Sequence, residues 1–328
     1  MTTRNDLKKS ENIVYKEFFY NNDFSGTIEK TIWRGKTSDN SFSFSVENGN
    51  KCETLIKIFG LNNPELFRKK YNQAINGDGQ EEKRINVLHS SSLAALLFFY
   101  AIDEQHPLSM KIEGVCYTFS KSYFEVKTIV CGPHKSNMDV VLEGTDEKGK
   151  NVLFFLESKF SEYLNSGKYT GISAEVYKAT YKKLGLFNQK TLSPIYAKET
   201  QDKDGKPIIE LSSSRNYHYC GGIKQMISHY MGVCNYAKKG DVALEDSSLC
   251  DKNADIILLG EVLFKFDNKV DINSRSYIYA KDYNNLAKTI NKGNKVSKLR
   301  MLEDVLYYQD MNNLALEEKV KKFYCISD

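Results

Sequence analysis

The stretch that most constrains this chain runs from Ser136 to Phe160. It reads SNMDVVLEG, then a charged turn TDEKGKN, then VLFFLESKF. Two apolar runs around a turn rich in Asp, Lys and Gly predict a β-hairpin. Side chains in a strand alternate faces, so Glu157 and Lys159 point the same way. Asp139 opens the first run and comes near them when the two strands pair. Two acids and one lysine on one patch of sheet can hold a divalent cation beside an ammonium group. All three are expected at strand ends, outside the core, so that removing Asp139 or Lys159 should leave the fold intact.

With 328 residues the chain can bury a large core in one or two domains, and 41% apolar against 27% charged residues predicts a globular protein. A net charge of +4 is too small to demand a nucleic-acid partner by itself. Seven irregularly spaced cysteines without a Cys-x-x-Cys pair read as reduced thiols rather than a zinc ribbon, and Cys131, Cys220 and Cys234 read as small apolar fillers. The first residues, MTTRNDLKKSENIVYKEFF, lack the apolar core of a signal peptide. The longest apolar run, Leu93 to Ile102, is too short to span a bilayer. A cytoplasmic protein without a membrane partner is therefore expected.

Along the chain, Ile13, Val14, Phe18 and Phe19 predict a short amphipathic helix, and Ser41 to Asn50 an edge strand or loop. Asn63-Pro64-Glu65 opens a helix that Asn76-Gly77-Asp78-Gly79 stops. The run 90–102 reads as a buried helix capped by serines. Val115 to Phe119 and Tyr123 to Val130 read as two strands, with a turn at Gly132-Pro133-His134. A helix is expected from Glu162 to Leu184. ETQDKDGKPIIEL predicts a hairpin tipped near Asp204-Gly205, within an insertion expected at 185–217. Gly221 to Val233 reads as a helix, Ala254 to Phe266 as a strand, and Val296 to Gln309 as a last helix carrying Leu299, Leu302, Val305 and Leu306. The expected class is α/β (α+β), a central mixed β-sheet flanked by helices. Residues 1–110 form a mainly helical elaboration and 111–328 the core, the two packing as one or two domains.

Asp139, seventeen residues, then Glu157-x-Lys159 resembles the PD-(D/E)xK nuclease superfamily. The Gly132 to Asn137 turn looks similar, and Gln225 within GGIKQMISHY is similar to the Gln that follows the ExK strand in several of its families. The resemblance covers roughly residues 120 to 265 and reaches the N-terminal third only through the Ser-rich run at 90–102. The Pro that precedes the Asp is here Met138. The resemblance implies a restriction-endonuclease-like core, with Asp139, Glu157 and the carbonyl of Ser158 holding Mg²⁺, for which Mn²⁺ can substitute. Independently of it, Mg²⁺ needs only one or two carboxylates because it keeps several waters. Lys159 would orient the attacking water or neutralise the phosphate. Glu125 is the first candidate for a further acid and Glu113 a weaker one. Gln225 would contact water or the DNA backbone. The catalytic set is thus Asp139, Glu157, Lys159, Gln225 and Glu125.

These expectations have rivals. ExK triplets are common on solvated faces, but Val152 to Leu156 lead this one out of a buried strand. His229 lies one helical turn after Gln225 and reads as a structural histidine, and His134 as a loop residue. Asp255, Glu261 and Lys265 share strand parity and form a second constellation. Lys292, Lys295, Lys298 and Arg300, and the aromatic run Arg215 to Tyr219, are candidate phosphate or stacking surfaces. The expected activity is a metal-dependent endonuclease on double-stranded DNA, of the type II restriction or phage-defence kind. It would act as a symmetric homodimer because two strands must be cut. The alternatives are a non-catalytic nucleic-acid-binding or interaction protein on the same fold, or a nuclease for RNA or branched DNA.

Overall fold

The computed structural model describes residues 24–33, 36–76, 81–163, 171–188, 194–214, 218–245, 249, 251–265, 270–311, 314–324 and 326. The expected helix around Ile13 to Phe19 and residues Arg215 to Tyr217 lie outside the described residues.

The described chain begins with an antiparallel hairpin, β1 (Ile28–Trp33) and β2 (Lys36–Phe44). It continues through α1 (Lys51–Phe59), α2 (Pro64–Ala74), the single turn α3 (Glu81–Arg84) and α4 (Ser91–Phe99). The described part of stretch 1–110 is thus helical with a hairpin added. The helix starts follow the local chemistry. Asn63 accepts the Leu66 N–H and Pro64 occupies the first turn, where its missing N–H costs nothing. Ser90 caps α4 by accepting the Leu93 N–H. Helix α4 is apolar on every side, and Leu93 to Phe99 are all buried, as expected of a helix enclosed by other elements.

Among the described residues the central sheet has seven strands. β3 (Leu108–Ile112), β4 (Val115–Cys131), β5 (His134–Asp146) and β6 (Asn151–Lys159) pair antiparallel in sequence order. The two strands expected at 115–130 are one long β4, which shifts register between Phe119 and Lys121 instead of breaking. Strand β6 is buried from Val152 to Lys159, the near-continuous burial of a central strand covered on both faces. Phe155 packs its ring 5.7 Å from that of Tyr236 on one face, and Ser158 reaches Ser91 of α4 on the other.

After β6, the expected helix over 162–184 is absent from the described part. Gly171 instead starts β7 (Gly171–Ala174), and only α5 (Lys178–Lys183) is helical beyond one 3₁₀ turn. A Cβ on Gly171 would lie 2.7 Å from Lys224 Cβ, so the glycine serves a close crossing rather than a helix interior. β8 (Ile195–Gln201) and β9 (Pro207–Ser213) form the expected hairpin and complete a three-stranded sheet with β7. α6 (Cys220–Lys239) then crosses the central sheet.

β10 (Ile256–Leu263) lies parallel to β6 and α7 (Val270–Gly293) follows it. The last helix expected at 296–309 is not formed. Two short strands, β11 (Leu299–Met301) and β12 (Leu306–Tyr307), pair parallel with β10. Leu299 and Met301 are buried with Arg300 exposed between them, a two-residue period that satisfies the open edge of β10. α8 (Glu318–Tyr324) closes the described chain. The architecture is a mixed α/β fold with a central mixed sheet flanked by helices. No helix among the described residues is long and apolar enough to cross a membrane.

Candidate functional site

The carboxyl ends of the parallel strands β6 and β10 lie side by side, the place where open α/β sheets leave a crevice. A cleft of about 380 Å³ is lined there by Asp139, Glu157, Lys159 and Gln225 on one side and by Arg84 and Ser90 to Ser92 on the other. The hairpin therefore brings together the three groups read from its sequence, and α6 adds Gln225. Asp139 is half-buried within β5 rather than at its start, and its Oδ2 accepts the Ser158 N–H at 2.7 Å.

Glu157 and Lys159 are not outside the core, being 1% and 4% exposed. Lys159 Nζ donates to Glu157 Oε1, and to Gln225 Oε1 at 2.9 Å. Burial pushes the Glu157 carboxyl up, but the Lys159 ammonium, with His229 beside it, more than offsets this and holds it at about 2. Burial works against the Lys159 charge as well, yet Glu157 keeps its pKa well above the ordinary lysine value. Asp139 is pushed well above the usual carboxylate range, first by burial and then by the negative charge of Glu157.

Register adds a residue that the sequence placed elsewhere. Glu261 on β10 pairs with Glu157 on β6, and Leu263 with Lys159. Glu261 is fully buried, and both its oxygens accept from the Tyr279 hydroxyl at 2.9 Å. Burial above all, with Glu157 adding to it and Lys159 opposing it, pushes Glu261 up to about 8. The second constellation thereby breaks up. Asp255 precedes β10 and accepts the Asn151 N–H at 3.0 Å. It lies roughly 20 Å from Glu261, at about 3.3 Å per strand residue. Lys265 lies beyond the strand, 5.8 Å from the centroid of the Tyr307 ring.

His229, expected to be structural, is in contact with the site. Its Nδ1 lies 2.5 Å from Ser136 Oγ and its Nε2 lies 2.8 Å from Glu157 Oε2. This second approach sets the imidazole directly against the Glu157 carboxylate and helps to hold that carboxyl down. Gln225 and His229, four residues apart on α6, thus face Lys159 and Glu157 respectively. Gly232 permits this seating: a Cβ there would fall 2.1 Å from Thr128 Oγ1 on β4.

The remaining candidates separate. Glu125 is buried on β4 with a left-handed φ of 50°, between register pairs Phe124–Val140 and Val126–Met138 that set it beside Asp139. It is not among the residues lining the cleft. Glu113 sits at the β3–β4 turn, paired with Arg300 and accepting the Glu303 N–H at 3.0 Å. His134 opens β5, its ring 6.3 Å from that of Tyr177. Of the basic run, Lys295 joins Lys183 and Lys238 around a separate cavity of about 270 Å³. Cys131, Cys220 and Cys234 carry free thiols, and burial pushes that of Cys220 up to about 12.

Several observations bear on whether these residues suit a divalent cation. Among the described residues no three His, Cys, Asp or Glu side chains are gathered into a complete metal shell. Mg²⁺ asks for less, one or two carboxylates with water in the other positions. The cleft supplies the carboxylates of Asp139 and Glu157. Asp139, Glu157 and Glu261 each feel the Lys159 ammonium, and two of the three are nevertheless pushed toward protonation. A divalent cation would relieve that excess of acid, so the donor set fits one. No protein-family model, curated protein or solved structure matches the chain.

Proposed function

We propose that this chain is a divalent-cation-dependent nuclease that hydrolyses phosphodiester bonds in double-stranded DNA, on a restriction-endonuclease-like core. The observation that carries the reading is the convergence of Asp139, Glu157 and Lys159 on one cleft at the carboxyl end of β6. Asp139 and Glu157, with the Ser158 carbonyl, would hold Mg²⁺ or Mn²⁺. Such a cation supplies Lewis acidity toward a phosphate oxygen and lowers the pKa of water. Gln225 holds the Lys159 ammonium in place through a 2.9 Å hydrogen bond, and Lys159 offers positive charge to the phosphate. Arg84 and the serines at the start of α4 line the facing wall, where an anionic backbone would pass. Cutting both strands calls for a symmetric pair of chains.

A second reading, a non-catalytic nucleic-acid-binding protein, draws on the Lys159–Glu157 ion pair, which already balances one acid without any cation. One experiment separates the two. Purified protein is incubated with plasmid and linear duplex DNA in Mg²⁺ and in EDTA, beside Asp139→Asn. Cleavage should require Mg²⁺ and fall by about a hundredfold or more in the variant, with duplex affinity retained. Duplex binding without Mg²⁺-dependent cleavage would select the second reading.

A further inference from the structure

A second cavity, of about 270 Å³, lies beside the carboxyl ends of α5, α6 and α7 and shares no lining residue with the cleft. Its floor is apolar: Val130, Leu184 and Ile290 line it, and each is at most 5% exposed. Its rim is cationic. Lys183 ends α5, Lys238 lies in the last turn of α6, and Lys295 follows α7, all three being exposed residues. Among the described residues that line the cavity there is no Asp or Glu. The walls are tied together. Lys183 Cε lies 3.7 Å from where a Cβ on Gly293 would stand, and the Tyr230 hydroxyl donates to Asn294 Oδ1 at 3.4 Å. Asn235 secures α6 to β4 by donating to the Ile129 and Val130 carbonyls at 2.9 and 2.7 Å. Burial above all pushes the Tyr230 hydroxyl up to about 12, so it brings no negative charge at neutral pH.

A lysine in the last turn of a helix answers the carbonyl dipole there. That accounts for Lys183 and Lys238 one at a time, but not for Lys295, nor for the meeting of all three at one cavity. Other exposed lysines of this chain sit against carboxylates, as Lys57 does against Glu47 and Lys135 against Glu245. The rim lysines instead face a cavity without one. Like charges gathered in this way repel, and an anion seated between them removes the repulsion. The apolar floor asks for an organic body behind that anion. The volume lies just below the roughly 300 Å³ at which sites for drug-sized molecules begin, so the body is small.

We propose that this cavity binds a mononucleotide, with Lys183, Lys238 and Lys295 holding its phosphate and Val130, Leu184 and Ile290 receiving its base and sugar. A dianionic phosphate matches three ammonium groups better than a single carboxylate does, and lysine meets it as a mobile point charge with three donors. The site is distinct from the cleft: Lys238 lies about 20 Å along α6 from Gln225, at 1.5 Å per residue. The inference therefore stands apart from the nuclease reading.

The test titrates the full chain calorimetrically in EDTA with thymidine monophosphate, with thymidine and with inorganic phosphate. The monophosphate should bind at least about tenfold more tightly than thymidine, which lacks the charge, and than phosphate, which lacks the body. Lys183→Gln, Lys238→Gln and Lys295→Gln combined should weaken the monophosphate at least about tenfold while leaving thymidine unchanged. Lys111→Gln, Lys148→Gln and Lys203→Gln combined remove the same charge from exposed positions outside the cavity. That variant should change the affinity by less than about twofold, because solvent screens distant charges. Arg84→Gln, in the cleft wall, should also leave it unchanged. Every substituted side chain is exposed, so the variants keep the fold. Phosphate bound as tightly as the monophosphate, equal losses in the two triple variants, a loss in Arg84→Gln that places the ligand in the cleft, or no binding by wild type overturns the proposal. Each of these results leaves the nuclease reading standing.

Discussion

Replacing Lys159 by Met should reverse the way stability responds to acid. In the native protein the Glu157 carboxyl is held at about 2 against an ordinary 4.5, burial being outweighed by the Lys159 ammonium with His229 beside it. At about 1.4 kcal/mol for each tenfold change in ionisation, that difference contributes roughly 3 kcal/mol. The folded value is depressed, so the contribution is complete above about pH 4.5 and is lost as pH falls through about 2. Methionine keeps much of the lysine stem's volume but removes the ammonium that Glu157 Oε1 accepts from. A fully buried carboxylate is then left with His229 alone. Removing one partner of a buried pair costs about 3–5 kcal/mol. With burial now dominant the carboxyl rises above its ordinary value, so the variant should gain stability relative to wild type as pH falls from 7 toward 5. Urea unfolding in EDTA at pH 7 and pH 5 measures this. Adding Glu157→Gln to Lys159→Met should recover most of the loss. A variant with the wild-type midpoint at pH 7, or a deficit that does not change with pH, would refute the coupling between these two groups.

Two further outcomes test the scaffold. Gly232→Ala should lose about 1–2 kcal/mol despite the roughly 1 kcal/mol that alanine gains in a helix. Its Cβ would meet Thr128 Oγ1 at 2.1 Å, so Thr128→Ala should restore part of the loss; a Gly232→Ala protein as urea-resistant as wild type would show that α6 sits farther from β4. Lys70 is 9% exposed, donates to the Ser122 carbonyl, and is pushed down by burial to about 8. Below that pH its buried charge costs on the order of 3 kcal/mol, and the cost is relieved as pH rises toward 10.5. Lys70→Met should therefore be more stable than wild type at pH 7 by about 1–2 kcal/mol after loss of the hydrogen bond. The advantage should vanish near pH 10, and unfolding midpoints that differ equally at both pH values would contradict it.

Local chemistry made part of this fold legible. The turn residues 145–151 announce the β5–β6 hairpin, Asp204-Gly205 announces β8–β9, and Ser90 and Asn63 mark helix starts by side-chain oxygens that accept the Leu93 and Leu66 N–H groups. In each case the partners are neighbours in sequence, so the residues themselves carry the signal. The meeting of Asp139 with Glu157 and Lys159 was legible for the same reason, because a tight hairpin sets register between adjacent strands. Helical spacing alone also placed His229 one turn beyond Gln225, although not what it touches.

The rest depended on pairings between distant segments. Leu299, Leu302, Val305 and Leu306 satisfy a helical period, while Leu299 and Met301 satisfy a strand period, and the open edge of β10 chose strands. Glu261 entered the site because β10 lies parallel to β6 in one particular register, set by the packing of Phe154, Leu258 and their neighbours across the sheet. Neither strand encodes that register alone, since parallel neighbours have no short turn to fix it. The burial of Lys159, and the approach of His229 to Glu157, follow from how closely α6 can lie on the sheet, which Gly232 and Thr128 decide from different elements. The sequence by itself therefore determined which acids and which lysine share a hairpin. Tertiary packing decided that they are buried, that a third carboxylate joins them, and that an imidazole nitrogen faces the pair, because those contacts join segments whose pairing is settled only when the whole core closes.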